Sequence, residues 1–328
     1  MSGAETERCR IVVTRLLPQP LMKRLQSSFV SWVSPHDRTL TSAEIAREAA
    51  SIRADAVLVM AMDRMDAEVI GHLPECVRAI ATYSVGLDHI DLEAARARGI
   101  AVLSTPDVLS DAVADMGMLL LLGAARRARE ASLLLYSGAW RGWSPTQVLG
   151  RDVTGGRLGI LGMGRIGRAV AYRARHGFGM KIHYHNRSRL PEAIEDGATF
   201  HSELNALLAA SDFLMLAAPS SPATRGILGA DAIERLPKGA VVANVSRGDL
   251  VEDEALIAAL RSGRVMAAGL DVFNNEPAIH PGYLTLPNVF LQPHQGSSTI
   301  ETRMRMGSLL LDSIEQLRAG AQVSNRLV

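Results

Sequence analysis

The sequence predicts an α/β protein of two domains, the larger built on a doubly wound parallel sheet. Three observations carry that prediction. Short apolar runs alternate with amphipathic helical stretches along nearly all of the 328 residues. A glycine-rich turn, Gly162-Met-Gly164-Arg-Ile-Gly167, stands directly between an apolar run and a helical pattern. A hydrophobic content of 48% supplies a large core at a length that suits two domains of ordinary size.

In chain order, strands are expected at 10–14, 29–32, 56–60, 79–81 and 101–103, and helices at 20–27, 42–51, 66–71 and 91–98. Ser42 and Asp91 have the chemistry of N-caps, and Gly99 that of a C-terminal stop. Strands separated by helices imply a parallel sheet covered on both faces, so this part is a small α/β domain of its own. Just past its fourth strand, Tyr83-Ser-Val-Gly-Leu-Asp88 lies where such sheets form ligand crevices. Gly86 would let backbone N–H groups face an anion; an ordinary strand-to-helix turn is the equal alternative.

Residues 106–129 read as one long helix, apolar nearly all round and therefore buried, either between domains or at a subunit interface. Trp140 and Trp143 follow, and read as packing the joint in preference to lining a substrate mouth. Beyond them, strands at 158–161, 181–185, 213–217, 240–244, 266–271 and 289–292 make six, the full doubly wound count. Helices are expected from Gly167 to about Arg175, then at 202–210, 230–236 and 252–262. A last helix, 299–319, is placed to return to the N-terminal domain, giving a two-stranded hinge. The domains are therefore 1–105 with 297–328, and 106–296.

Each glycine of the turn has a task. Gly162 permits the tight turn, Gly164 lets a pyrophosphate approach the backbone, and Gly167 lets helix and strand pack closely. The helix N-terminus adds free N–H groups and the positive end of its dipole. A dinucleotide site is the reading. An NAD site usually has Asp or Glu at the tip of the next strand, about 20 residues on. Here that tip is His185-Asn-Arg-Ser-Arg189, with no acid until Glu192. Arg187 and Arg189 can neutralise a 2′-phosphate, and Asn186 and Ser188 can donate hydrogen bonds, so NADP(H) is preferred and NAD(H) remains open. The Pro-Ser-Ser-Pro run from Pro219 should abut the cofactor.

A net charge of +1 gives no sign of a nucleic-acid or membrane partner. Cys9 and Cys76 make neither a disulfide framework nor a metal cluster, so no metal is expected. The charged start of the chain reads as a loose tail, not a signal peptide, and no apolar run reaches the ~20 residues of a membrane span. The expectation is a cytoplasmic protein.

Three polar residues stand at the ends of consecutive strands: Arg247, Glu276 and His294. In a doubly wound sheet those ends open into one crevice. Their types suit hydride transfer to a carbonyl. The oxygen that gains charge needs a proton, for which His294 is the natural donor. Glu276 would fix its tautomer and stabilise its charged form, and Arg247 would hold a carboxylate and polarise the carbonyl.

The segments 159–167, 244–256, 269–277 and 293–299, in that order, resemble the D-isomer-specific 2-hydroxyacid dehydrogenases, most nearly the NADPH-dependent glyoxylate/hydroxypyruvate reductases. The resemblance implies a Rossmann-type doubly wound parallel sheet inserted into a flavodoxin-like α/β substrate domain, in a homodimer. It implies Arg247, Glu276 and His294 as the catalytic set. Val85 and Gly86, with Arg247 and His294, would bind the substrate. Cofactor contacts would run through Arg165 and Ile166, then Pro219, Thr224, Val245, Ser246, Arg247, Asp271, His294 and Gly296, with Asp271 on the nicotinamide carboxamide.

Two departures stand out: Val251-Glu-Asp replaces the family's Val-Asp-Glu, and Pro293-His-Gln-Gly its Pro-His-Ile-Gly. Neither removes a catalytic group, but Gln295 bears on the substrate. The expected reaction is NADPH-dependent reduction of glyoxylate or hydroxypyruvate to a D-2-hydroxy acid. Rival readings are a 2-ketogluconate or D-lactate-type enzyme, a phosphite dehydrogenase, and a non-catalytic dinucleotide-sensing corepressor.

Overall fold

The structure is a computed structural model that describes residues 8–328; the first seven residues of the expected tail lie outside it. The chain divides into two compact units, one holding the residues through Leu109 together with Ser298–Val328, the other Ser110–Ser297.

The first unit alternates β1 (Cys9–Val13), α1 (Gln19–Ser28), β2 (Phe29–Val33), α2 (Ser42–Ser51), β3 (Ala56–Val59), α3 (Ala67–His72), β4 (Ala79–Thr82), α4 (Leu92–Ala97) and β5 (Ala101–Leu103). Its strands lie in the order β2-β1-β3-β4-β5 and all pair in parallel, the flavodoxin-like order. One face is sealed by Val12, Val57, Ile80 and Val102, packed with Ile45, Ala49, Val69 and Ile70 from α2 and α3. Asp91 caps α4 as expected, accepting the Ala94 N–H at 2.9 Å. The cap of α2 is Thr41, one residue before the expected Ser42. Thr41 has Glu44 at its third helical position, and the two exchange side chain–backbone hydrogen bonds in a capping box, which Ser42 could not form.

The second unit opens with a correction. The stretch read as one helix, 106–129, is helical as α5 only over Ser110–Ala125, and a second helix, α6 (Ala128–Tyr136), begins at its end and runs beyond it. The break is at Arg127, whose φ of +50° is left-handed and whose guanidinium forks onto Glu130 at 2.5 and 2.7 Å. The first helix buries Ala114, Met118, Leu120 and Leu121 in its own unit, whereas the second buries none of its residues. Trp140 and Trp143 are 50% and 84% exposed, so they do not pack in the way their type suggested.

Then follow β6 (Arg157–Leu161), α7 (Arg165–Phe178), β7 (Lys181–His185), α8 (Glu192–Glu195), β8 (Thr199–Phe200), α9 (Leu204–Ala209), β9 (Phe213–Leu216), α10 (Ala230–Arg235), β10 (Ala240–Asn244), α11 (Asp253–Ser262), β11 (Val265–Leu270), α12 (Pro281–Thr285) and β12 (Val289–Leu291). The sheet is parallel, in the order β12-β11-β10-β9-β6-β7-β8: the doubly wound arrangement with the reversal between β6 and β9. It has seven strands where six were expected. The extra one, β8, pairs only Thr199 and Phe200 with His183 and Tyr184, too short to leave a periodic signal. The final helix, α13 (Ile300–Arg318), belongs to the first unit, where it packs on α1 and β4. No described helix is long and apolar enough to cross a membrane, and no described group of three or more His, Cys, Asp or Glu is arranged to hold a metal.

Candidate active site

The glycine turn closes between the carboxyl end of β6 and the N-terminus of α7. Gly162 has φ +96°, and a Cβ there would lie 2.4 Å from the backbone of Ala218; at Gly167 it would lie 2.2 Å from the Gly162 carbonyl oxygen. Both glycines are demanded by the fold itself. Gly164 is different: a Cβ there would meet no protein atom within 4 Å. Its bareness serves no internal packing and leaves open the approach that a pyrophosphate needs. No side chain caps α7 and no acid occupies its first turn, so its N–H groups and dipole remain available to phosphate. Arg165 and Ile166 sit in that turn. These residues fit a dinucleotide.

The tip of β7 is fastened at two points. Asn186 Oδ1 accepts the Met163 N–H at 2.7 Å, tying the tip to the glycine turn. Arg189 donates Nε and Nη2 to the two carboxylate oxygens of Glu195, at 2.9 and 2.8 Å. Between them Arg187 and Ser188 are exposed. Arg187 has no hydrogen-bond or ion-pair partner among the described residues. Sequence reading put both arginines on a phosphate; one of them is thus already engaged. Nothing in the local pattern marked Glu195 as its partner, because the acid lies in α8, a helix of one turn.

At the carboxyl ends of β10 to β12 the three expected residues come together. His294 Nδ1 lies 2.7 Å from Glu276 Oε2, while Glu276 Oε1 accepts the Phe273 N–H at 2.8 Å. Burial pushes the Glu276 carboxyl up. The His294 hydrogen bond and charge, the Phe273 N–H and the Arg247 charge outweigh it, leaving the group below its ordinary value. The carboxylate stays ionised near neutrality, and Nε2 of His294 is left as the ring's outward nitrogen. The strand end that carries Arg247 is braced by Asn244, whose side chain accepts the Ser246 N–H at 2.9 Å and donates to the Arg247 carbonyl at 2.8 Å. Ser246 Oγ donates to the Ala218 carbonyl. Sequence reading missed Asn244; its one signal was an amide ending an otherwise apolar strand.

Asp271 organises the loop that carries the histidine. It is 1% exposed, and its oxygens accept the N–H groups of Gln295 and Gly296 at 2.7 Å each. The His294 N–H donates to the Asp271 carbonyl at 2.8 Å. Three bonds to one residue hold His294 at φ +54°, a left-handed conformation that a histidine keeps only when its surroundings impose it. Burial raises the Asp271 carboxyl to about 6, against the two N–H groups and the His294 charge, which lower it.

Of the other expected contacts, Pro219 and Thr224 meet in one loop, the Thr224 hydroxyl donating to the Pro219 carbonyl at 2.7 Å. Val245 is buried beside Asn244. Val85 and Gly86 belong to the first unit. Their loop is braced by a polar chain in which Thr82 Oγ1 lies 2.9 Å from His89 Nε2 and 2.7 Å from Ser84 Oγ, which donates to the Gly86 carbonyl at 2.7 Å.

Comparison with known proteins gives the site its setting. Residues 118–296 match the family model for the NAD-binding domain of the D-isomer specific 2-hydroxyacid dehydrogenases. A glycerate dehydrogenase from Hyphomicrobium methylovorum is 42% identical over 97% of this chain and 98% of its own. A solved structure from Polaromonas sp. JS6 66 superposes with a TM-score of 0.93 at 51% identity, covering 98% of this chain and 100% of that one. Another, an NADPH-dependent glyoxylate/hydroxypyruvate reductase from Sinorhizobium meliloti in complex with NADP and malonate, superposes with a TM-score of 0.86 at 31% identity, covering 98% and 97%. A glycine turn shaped for a pyrophosphate, a paired histidine and carboxylate, and similarity along the whole length agree: the chain belongs to the D-isomer-specific 2-hydroxyacid dehydrogenases, NAD(P)-dependent oxidoreductases.

Proposed function

We propose that the protein reduces small 2-oxo acids, glyoxylate and hydroxypyruvate first, to D-2-hydroxy acids with NADPH as the preferred donor. The observation that carries the reaction is the 2.7 Å contact between His294 and Glu276, with the Arg247 charge acting on the same carboxylate. When bound, the dinucleotide supplies the hydride. His294 delivers a proton from Nε2 to the oxygen that gains charge, while Glu276 orients the ring through Nδ1 and balances the imidazolium. Arg247 holds the substrate carboxylate and polarises the carbonyl. The hydrogen bonds from residues 294–296 to Asp271 keep the histidine in place.

The NADPH preference rests on the tip of β7, where Arg187 and Ser188 stand exposed in the place an NAD site gives to an acid. The names of the Hyphomicrobium and Sinorhizobium relatives support both the substrate class and the cofactor. A panel of glyoxylate, hydroxypyruvate, pyruvate, 2-ketogluconate and phosphite, run with both forms of both cofactors, tests this. The highest kcat/KM is expected for glyoxylate or hydroxypyruvate with NADPH; a clear NADH preference overturns the cofactor reading, and turnover of phosphite alone overturns the reaction.

The working form is a homodimer. The apolar residues Leu133, Leu135 and Tyr136 of α6 are 50%, 63% and 90% exposed, and Trp143 and Leu149 in the loop that follows are exposed as well. A surface of that kind is covered in a stable protein, and a second copy of the chain is the simplest cover.

A further inference from the structure

Beneath the tip of β7 lies a buried acid that the reaction does not use. Glu195 is 4% exposed and accepts three hydrogen bonds from two residues: the Arg189 fork, at 2.9 and 2.8 Å, and the Tyr184 hydroxyl at 2.5 Å. Tyr184 is itself fully buried in β7, and its oxygen also accepts the Leu190 N–H at 2.9 Å. The Arg189 fork, then the Tyr184 hydroxyl, hold the Glu195 carboxyl down at about 2, so it is a carboxylate at every working pH.

The consequence is geometric. The segment 186–190 is tied at its start by Asn186 to Met163, and at its end by Arg189 and Leu190 to the Glu195–Tyr184 pair. The two residues between the ties, Arg187 and Ser188, are exposed and make no side-chain hydrogen bond to a described residue. A carboxylate so near a phosphate site would repel the ligand if it were bare. Arg189 cancels that charge, and withdrawing the guanidinium would strand a buried anion with one neutral donor, an unfavourable exchange for one more exposed phosphate contact.

We propose that Glu195, Tyr184 and Arg189 are positioning residues for cofactor choice: they hold Arg187 and Ser188 in the conformation that receives the adenosine 2′-phosphate, and Arg189 is not itself a phosphate ligand. This rests on the NADPH reading above. It differs from the simplest sequence expectation, in which both arginines meet the phosphate.

The test is calorimetric binding of adenosine 2′,5′-bisphosphate and of 5′-AMP, which lacks the 2′-phosphate, to the full-length chain. The wild type should favour the bisphosphate. Arg187→Ala should lose ~10–100-fold on the bisphosphate alone, the scale of a charge-assisted contact. Glu195→Gln and Arg189→Ala should each lose about tenfold on the bisphosphate with 5′-AMP within about twofold, and the double variant should be no worse than either single one. Tyr184→Phe keeps the ion pair but removes both the hydroxyl bond to Glu195 and the Leu190 anchor; it should show a smaller loss of the same selectivity and serves if Glu195→Gln does not fold. The clamp is overturned if Glu195→Gln gains affinity for the bisphosphate while Arg189→Ala loses it, since Arg189 is then a direct ligand. Equal losses on both ligands overturn it too, as plain structural damage. A wild type that does not distinguish the two ligands overturns the NADPH reading itself, a result separate from any seen in the variants.

Discussion

Glu276 Oε2 lies 2.7 Å from Nδ1 of His294, and the other oxygen of that carboxylate is held by the Phe273 N–H. The pair is therefore built from one strand end that fixes the acid and another that presents the base. Replacing His294 with Ala should lower kcat by ~10²–10⁴, the usual worth of a general acid, with dinucleotide affinity retained. Single-turnover rates and cofactor titration check this; a near-wild-type rate would remove His294 from the reaction.

The same pair makes a stability prediction. Glu276 is lowered in the folded state, so its contribution is present above the unfolded carboxyl value of about 4.3 and is lost as pH falls through the lower folded one. The difference in unfolding free energy between wild type and Glu276→Gln should shrink as pH falls below ~4. Urea melts across pH 3–7 measure it, and a flat difference counts against the ion pair.

Asp271 has the opposite sign. Its folded value of about 6 exceeds an ordinary aspartate's ~3.9, so the folded protein holds this proton more tightly than the unfolded chain. Stability from this group is full below pH ~4 and falls, by roughly 3 kcal/mol in all, as pH rises to about 6. Asp271→Asn should abolish that slope. It should also depress kcat, because an amide can accept only one of the Gln295 and Gly296 N–H groups well, and the His294 loop loses a tie. A slope unchanged in the variant would place its origin elsewhere.

Two glycines of one motif should behave differently. Gly162→Ala puts a side chain at φ +96° and 2.4 Å from the Ala218 backbone, so the protein should fold poorly or not at all. Gly164→Val meets open space at φ −80°, so its melting temperature should stay within a few degrees of wild type while ADP-ribose affinity falls by at least ~10-fold. Retained affinity in Gly164→Val would mean that the pyrophosphate does not pass there.

For the exposed apolar face, Leu133→Lys combined with Leu135→Lys should turn a dimer into a soluble monomer, read by light scattering after gel filtration. A wild type already monomeric at micromolar concentration removes the proposal.

The sequence by itself determined the element alternation, both parallel sheets, the glycine turn and the three residue types at successive strand ends. Each of these is written in nearest-neighbour chemistry: period, punctuation, and the demand of a tight turn for glycine. It also set limits that tertiary structure overrode. The stretch 106–129 is apolar enough to read as one helix, yet Arg127 turns left-handed where it can reach Glu130. The strand β8 exists because a neighbour pairs with it, not because of its own two residues. Above all, only the fold put Glu195 under Arg189 and Asp271 under the loop of His294. Those partners are brought together by packing of elements that carry no local mark of each other, and a buried carboxylate takes its charge state and its role from whichever donors the fold sets around it.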